Sequence, residues 1–333
     1  MSTDLQVPGE KYLTLLDGRQ LAYTEQGDTN SNKIMIFFHG VFGVGDSSPD
    51  GNPYRQIGYH SISPTLPGWG NSSPWPEDQP ISNYPNDIHQ LLLSLKKNDN
   101  KNLSITVGGG SYGAAFAQIC FFTSTDIMPE IVNVKSLVLC SGFSPFKYHR
   151  TYTTGMSWSN YIAVGGPAIY FPYIRRLLGS FLQKKARNID EAKNFLRENI
   201  FDQMDDEEKA KLHKWEEERN KSSGWVLETM ARNMCISISK SMVGFNTVAQ
   251  VLHSDWGYDP TKVPRLPKRK ILIITTKGDR IAHMEMSTYL AETYPNTELR
   301  IIDGGHLASF FEINEIMKDW LTNLDKELDE STL

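Results

Sequence analysis

Between positions 103 and 122 the chain passes from a short apolar segment through a tight glycine turn into a second apolar segment. The turn reads Gly109-Gly110-Ser111-Tyr112-Gly113, a G-x-S-x-G pattern. Residues 103–108 have the length and character of a buried strand, and residues 114–122 those of a helix that starts on small residues. A strand that turns sharply into a helix holds the corner residue in strained backbone, so its neighbours must lack bulk. Such a corner lifts the Ser111 hydroxyl above the sheet, where a base can reach it. For the motif alone, a glycine-rich loop after a core strand is the plain alternative, and the rest of the chain has to decide between them.

The flanking segments alternate in type. Residues 11–16 and 20–23 read as extended runs on either side of Asp17-Gly18, a hairpin signature. Residues 34–38 are continuously apolar, which predicts a central strand covered on both faces. A Gly/Asp/Ser/Pro-rich loop to Pro53 and a weaker strand at 59–63 follow. Tyr84, Ile88, Leu91, Leu92 and Leu95 then fall at helical spacing, with Ser82 or Asn83 as the expected cap. Residues 136–140, 271–274 and 299–302 read as further strands, and Ile313, Ile316, Met317, Trp320, Leu321 and Leu324 mark a closing amphipathic helix. Alternating strands and helices predict an α/β fold with a mostly parallel central sheet and helices on both faces.

The alternation breaks between 143 and about 265, where no strand is predicted. Residues 143–181 are aromatic and rich in Pro and Gly, and charged helical segments are expected near 189–200, 205–221 and 225–242. Residues 161–182 are the most apolar stretch, but Arg175 and Arg176 interrupt it, which predicts a lid element rather than a membrane span.

A net charge of −5 and the lack of an extended basic run argue against a nucleic-acid partner. Cys120, Cys140 and Cys235 are widely spaced, with no C-x-x-C pair, and Cys120 and Cys140 read as inert core thiols. The first residues carry neither a basic nor an apolar leader run, so a reducing, cytoplasmic setting is expected and the sequons at Asn71, Asn102 and Asn220 are idle. Ser331-Thr332-Leu333 departs from a peroxisomal S-K-L at its middle residue and reads as a tail. No His, Cys and carboxylate spacing suggests a metal, and nothing calls for a cofactor.

Acyl transfer needs a nucleophile, a base, an orienter for the base and donors for an oxyanion. Ser111 follows the fifth strand, Asp279 lies just past the strand at 271–274, and His306 follows the strand at 299–302. In an open α/β sheet, groups beyond the carboxyl ends of strands converge on one edge. Each has a plainer alternative: Asp279 as a turn aspartate, His306 as a loop histidine bonded to backbone. Asp303 is expected to cap its turn, His283 to begin the next helix, and His39 to brace the loop after the strand at 34–38. Glu216-Glu217-Glu218 reads as the solvated face of a charged helix.

With these residues in place the chain resembles the α/β-hydrolase family, in its capped branch. His39-Gly40 looks like that family's oxyanion loop, and Pro67-Gly68-Trp69-Gly70-Asn71-Ser72 like its P-G-x-G-x-S loop, with Thr65 where an aspartate is frequent. Gly109–Gly113 looks like its nucleophile elbow, and Asp279 and Gly305-His306 match its acid and base positions in the order Ser…Asp…His. The resemblance implies an α/β-hydrolase core at residues 1–142 and 266–333 and a helical cap at 143–265. It implies a serine hydrolase acting on an ester, lactone or amide with an apolar moiety, with the Val41 and Tyr112 amides as oxyanion donors and Phe42 and Trp158 against the substrate. The implied partner is a small molecule with an acyl group; nothing sets an oligomeric state.

Ser111 argues against epoxide hydrolases and dehalogenases of similar build, which use aspartate there. A prolyl-iminopeptidase-like peptidase, a carbon–carbon hydrolase or an acyltransferase could use the same triad, and a non-catalytic small-molecule receptor is the alternative of another class. The aromatic residues from Phe143 to Tyr173 could line an apolar acyl pocket or form core beneath the cap, and core is the expectation for most of them.

Overall fold

The described residues build one eight-stranded sheet. In the computed structural model, which describes residues 5–47, 53–95, 103–264 and 268–330, the strands are β1 (Lys11–Thr14), β2 (Gln20–Gly27), β3 (Lys33–Phe38), β4 (His60–Pro64), β5 (Ser104–Gly110), β6 (Val134–Cys140), β7 (Lys270–Thr276) and β8 (Thr297–Ile302). Their order is β1-β2-β4-β3-β5-β6-β7-β8. β1 and β2 pair antiparallel across Asp17-Gly18, β2 and β4 pair antiparallel, and every later pairing is parallel. The expected loop residues 48–52, Asn102, the boundary near Arg265 and the tail at 331–333 lie outside the described residues.

The strand sequences explain how both faces are covered. Side chains alternate along a strand with period two, so a strand apolar at every position needs two packing layers. Ile34, Ile36 and Phe38, with Leu137, Leu139, Ile271 and Ile273, join one core cluster. Met35, Val138, Cys140, Leu272 and Ile274 join the other. The helices α1 (Pro53–Gln56), α2 (Pro85–Ser94) and α3 (Gly113–Phe121) follow β3, β4 and β5. After the insertion described next, α11 (Met284–Thr293) and α12 (Ala308–Glu330) complete the set. Ile88, Phe116, Met286 and Leu290 of α2, α3 and α11 pack on the first face, and Tyr54, Met317, Leu321 and Leu324 of α1 and α12 on the second.

Between β6 and β7 stand α4 (Trp158–Val164), α5 (Gly166–Tyr170), α6 (Pro172–Lys185), α7 (Ile189–Asn199), α8 (Asp206–Glu218), α9 (Trp225–Ser237) and α10 (Val243–His253), with no strand among the described residues. The helix expected over 225–242 ends at Ser237, and the next begins only at Val243. Ser237 and Ser239 hydroxyls bond the carbonyls of Met234 and Ile236, competing for the acceptors a continuing helix would use. The Ser237 carbonyl accepts instead from the Gly70 amide at 2.7 Å.

Two further expectations are corrected. Neither Ser82 nor Asn83 caps α2; a 3-10 turn at Ile81–Asn83 leads into it, and Pro85 stands at its start, where no amide hydrogen is needed. The stretch Glu216-Glu217-Glu218 is a solvated face only at Glu217 and Glu218. Glu216 is 1% exposed and accepts from the amides of Gly224 and Val226 at 3.0 and 2.9 Å, satisfying the first turn of α9. All three cysteines are free and buried, and burial raises each thiol pKa, that of Cys235 to about 11.

Candidate active site

The turn after β5 is built by contacts that exclude side chains. A Cβ on Gly113 would lie 2.2 Å from the Phe38 carbonyl oxygen, and one on Gly109 would lie 2.4 Å from the Gly113 backbone. These approaches draw β3, β5 and α3 together at one point. Ser111 between them has φ of 51°, left-handed backbone that non-glycine residues rarely adopt. Its amide bonds the Cys140 carbonyl at 2.9 Å, so the corner is pinned to the end of β6. Ser111 is half-buried, with part of its surface open.

The loop after β3 comes against this corner. A Cβ on Gly40 would lie 3.8 Å from Ser111 Oγ, so the Gly40 backbone itself approaches the hydroxyl. His39 braces the loop, and its tautomer follows from its partners. The Leu66 amide can only donate, at 2.9 Å to Nε2, so Nε2 accepts and Nδ1 carries the hydrogen donated to the Gly40 carbonyl at 2.7 Å. Removal of the ring from water lowers its pKa to about 4, which keeps it neutral in this role. Phe42, next along with φ of 61°, is stacked on Phe245 of α10 at 5.5 Å and meets Trp69 edge-on at 6.0 Å. Trp69 is fully buried, and the Gly244 amide bonds the Gly68 carbonyl at 3.1 Å, so this loop is fastened to the insertion. Thr65, which replaces the frequent aspartate, accepts the Gly45 amide at 2.8 Å.

On the far side of β6, His306 Nδ1 and Asp279 Oδ2 are 2.7 Å apart. Asp279 Oδ1 accepts the amides of Ile281 and Ala282 at 2.8 and 3.0 Å, which fixes the carboxylate. The loop after β8 is laced onto β7: Lys277 N bonds Ile302 O, and Gly278 N bonds Gly304 O at 2.9 Å. The loop that carries His306 is thereby fastened to the end of β7, the strand next to β6 in the sheet. Burial by itself would lower the His306 pKa; the charge of Asp279 and their hydrogen bond outweigh it and raise the pKa above 6.5.

The neighbouring candidates have other partners. His283 precedes α11 and its Nε2 bonds the Tyr152 carbonyl at 2.8 Å. Asp303 makes no cap; it is exposed and pairs with Lys277 at 2.7 Å. Trp158 opens α4 and is 74% exposed, with its ring 5.5 Å from Tyr161. Among the described residues no group of three His, Cys, Asp or Glu side chains is arranged to hold a metal ion. A depression of about 500 Å³ lined by Lys270, Asn296, Thr297 and Trp320 lies where β7 and β8 begin, opposite the edge where open α/β sheets bind ligands.

Sequence reasoning missed Glu208. It sits in the first turn of α8, where its side chain completes a capping box with Asp205. It also accepts the amide of Gly305, the residue before His306. The capping signature Asp205-x-x-Glu208 is visible in the chain, but a partner 97 positions away is not.

Comparison with known proteins gives the family. The alpha/beta hydrolase fold family matches residues 33–313. A search of curated proteins by sequence found no match. Solved structures similar to this chain include an esterase from Exiguobacterium antarcticum (17% identity, TM-score 0.61, covering 95% of this chain and 99% of that one). A hydrolase from Pseudomonas aeruginosa PA01 is 15% identical, with a TM-score of 0.63 and coverage of 96% and 99%. A thermophilic esterase from Thermogutta terrifontis is 17% identical, with a TM-score of 0.57 and coverage of 95% and 98%. At these identities the likeness is one of fold, and the family match spans most of the sheet and the whole insertion: the chain belongs to the alpha/beta hydrolase fold family.

Proposed function

We propose that this protein is a serine hydrolase that cleaves a carboxylic ester, lactone or amide with an apolar moiety, with Ser111 as nucleophile, His306 as base and Asp279 as orienter. The observation that carries this reading is the 2.7 Å His306–Asp279 hydrogen bond on the same sheet edge as Ser111. Asp279 accepts from Nδ1, so the neutral ring carries its hydrogen there and Nε2 is the ring atom with the lone pair that would take the Ser111 proton.

In this mechanism Ser111 Oγ attacks the acyl carbon as its proton passes to His306. The tetrahedral oxyanion is held by the Val41 and Tyr112 amides. Among the described residues neither amide donates to a carbonyl of the surrounding turns, and Gly40 brings the first loop to the hydroxyl. Collapse of the intermediate moves the proton from His306 to the leaving group. Water then attacks the acyl-enzyme with His306 again as base, and Ser111 recovers its proton.

Residues 143–265 would act as the cap. Phe42, stacked on Phe245, would give the acyl group an apolar wall, and Trp158 would contact substrate only at the outer rim. An ester or lactone is favoured over a peptidase substrate because in the acidic run of the cap Glu216 is turned to two backbone amides and Glu217 and Glu218 to solvent, which leaves none of the three committed to a substrate amine.

Hydrolysis of a chromogenic ester series from acetyl to long acyl, with fluorophosphonate labelling alongside, tests the reading. Turnover with a defined chain-length preference and labelling at Ser111 is the expected result; no turnover and no labelling would favour the receptor alternative. The pH profile gives a second check. The base must be neutral, and its pKa is raised above 6.5, so kcat/KM should fall as pH drops through an apparent pKa above that value. An acid limb centred well below it would remove His306 as the base.

A further inference from the structure

A helix at a protein surface turns its apolar stripe inward and its polar face outward. α6 has apolar residues on both. Gly179, Leu182 and Ala186 are buried, whereas Tyr173, Leu177 and Phe181, spaced at i, i+4 and i+8, form a second stripe in solvent. Leu177 is 73% exposed and Tyr173 74%. Tyr170 and Phe171 beside them are exposed as well. Of the aromatic residues from Phe143 to Tyr173, for most of which core was the expectation, Phe143 and Phe146 are in the core, while Trp158, Tyr170, Phe171 and Tyr173 are exposed. A contiguous exposed apolar patch marks a surface that something covers.

Charge indicates what covers it. From Phe143 through Ile189 the chain carries Lys147, Arg150, Arg175, Arg176, Lys184, Lys185 and Arg187, and no Asp or Glu. The whole chain has 34 basic and 39 acidic residues, which leaves 27 and 39 outside this segment. Lys147 pairs with Asp255 and Arg175 bonds the Asn246 carbonyl, so the cations beside the stripe are Arg176, Lys184, Lys185 and Arg187, on and just after α6. Arg176 and Lys185 lie over the Tyr173 and Phe181 rings at 5.9 and 5.6 Å, cations set at the margin of the stripe. α10, which packs against α4, α5 and α6, contributes no carboxylate.

Aromatic and leucine side chains flanked by lysine and arginine are what an interfacial helix presents to an anionic lipid surface. The apolar groups enter the boundary between headgroups and acyl chains, and the cations remain with the phosphates. A second copy of this chain fits poorly, because a twofold contact would set the cations of α6 against their own likeness. We infer that the face formed by α4–α6 docks the protein on an anionic membrane surface as a peripheral contact. No helix of the described residues is long and apolar enough to span a membrane.

Cosedimentation of the full chain with phosphatidylcholine vesicles, with and without phosphatidylserine, tests this. The wild type should pellet with the anionic vesicles, and binding should fall by about tenfold or more on neutral vesicles or in high salt. Leu177→Ser with Phe181→Ser, and separately Lys184→Glu with Lys185→Glu, should each lose binding to a similar degree. Their circular dichroism and short-ester turnover should match the wild type, because these side chains lie outside the proposed machinery. The charge-reversed pair is fully solvent-facing apart from the half-buried Lys185, so it tests the proposal even if the serine pair misfolds. Failure of the wild type to bind anionic vesicles would overturn the inference. So would equal binding to neutral vesicles, or binding kept by both folded variants. A dimer that the serine pair dissociates, or capture of a single-stranded oligonucleotide in place of vesicles, would assign the face to another occupant.

Discussion

Ser111→Ala should lower turnover of any ester this protein accepts by roughly 10⁴- to 10⁶-fold, the scale seen when a triad nucleophile is removed. The effect is large because no other group can form the acyl-enzyme. Gly40 and the tight turn bring backbone, not a second hydroxyl, to the corner. Residual hydrolysis would come from the Val41 and Tyr112 amides and from substrate binding. The fold should persist: the side chain loses one hydroxyl, and the pinning bond from the Ser111 amide to Cys140 is made by backbone. Alanine keeps the left-handed φ strain that serine already carries. Steady-state kinetics of the variant, with thermal unfolding as control, checks this. A variant that keeps even a tenth of wild-type activity with an unchanged melting curve would show that Ser111 is not the nucleophile.

Asp279→Asn should cost about 10⁴-fold in kcat. The carboxylate is fixed by the Ile281 and Ala282 amides on Oδ1 and meets His306 through Oδ2. An asparagine can keep the Oδ1 contacts only by turning its NH₂ towards His306. Nδ1 must then accept, the hydrogen moves to Nε2, and the ring can no longer take the Ser111 proton. The same substitution removes the charge that raises the His306 pKa, so the residual activity should have its acid limb at lower pH than the wild type. The paired readout separates the role in catalysis from simple damage to the fold. Near-full activity in this variant would move the acid elsewhere.

Much of the framework was legible in the chain because its signals are local. The continuous apolar run at β3 announced a strand covered on both faces, and the residues of β3, β6 and β7 divide alternately between two cores. The glycines flanking Ser111 announced the corner, since only residues without side chains allow β3 and α3 to approach so closely. The order of Ser111, Asp279 and His306 after successive strands followed from the same reading.

The misses share another cause. Glu216 looked like part of a charged face because its neighbours are solvated, but the chain turns back at Gly224 and brings the amides of α9 to it. The helix expected over 225–242 stops at Ser237 although apolar spacing persists, because serine hydroxyls and the Gly70 amide take the carbonyls there. Phe143 and Phe146 are core as expected, but Tyr170, Phe171 and Tyr173 face outward, because composition does not say which side of a helix faces a neighbour.

The sequence by itself determined the alternating α/β plan and the strained corner at Ser111, because each depends on residues close together in the chain, and it offered Asp279 and His306 as candidates only by their place after strands. Only the tertiary structure decided the strand order with β4 outside β3, the tautomer of His39, the tie from Glu208 to the His306 loop and the outward apolar stripe of α6. Each of those is set by which distant segment arrives to donate a hydrogen bond or to cover a face, and that is a property of packing rather than of any local pattern.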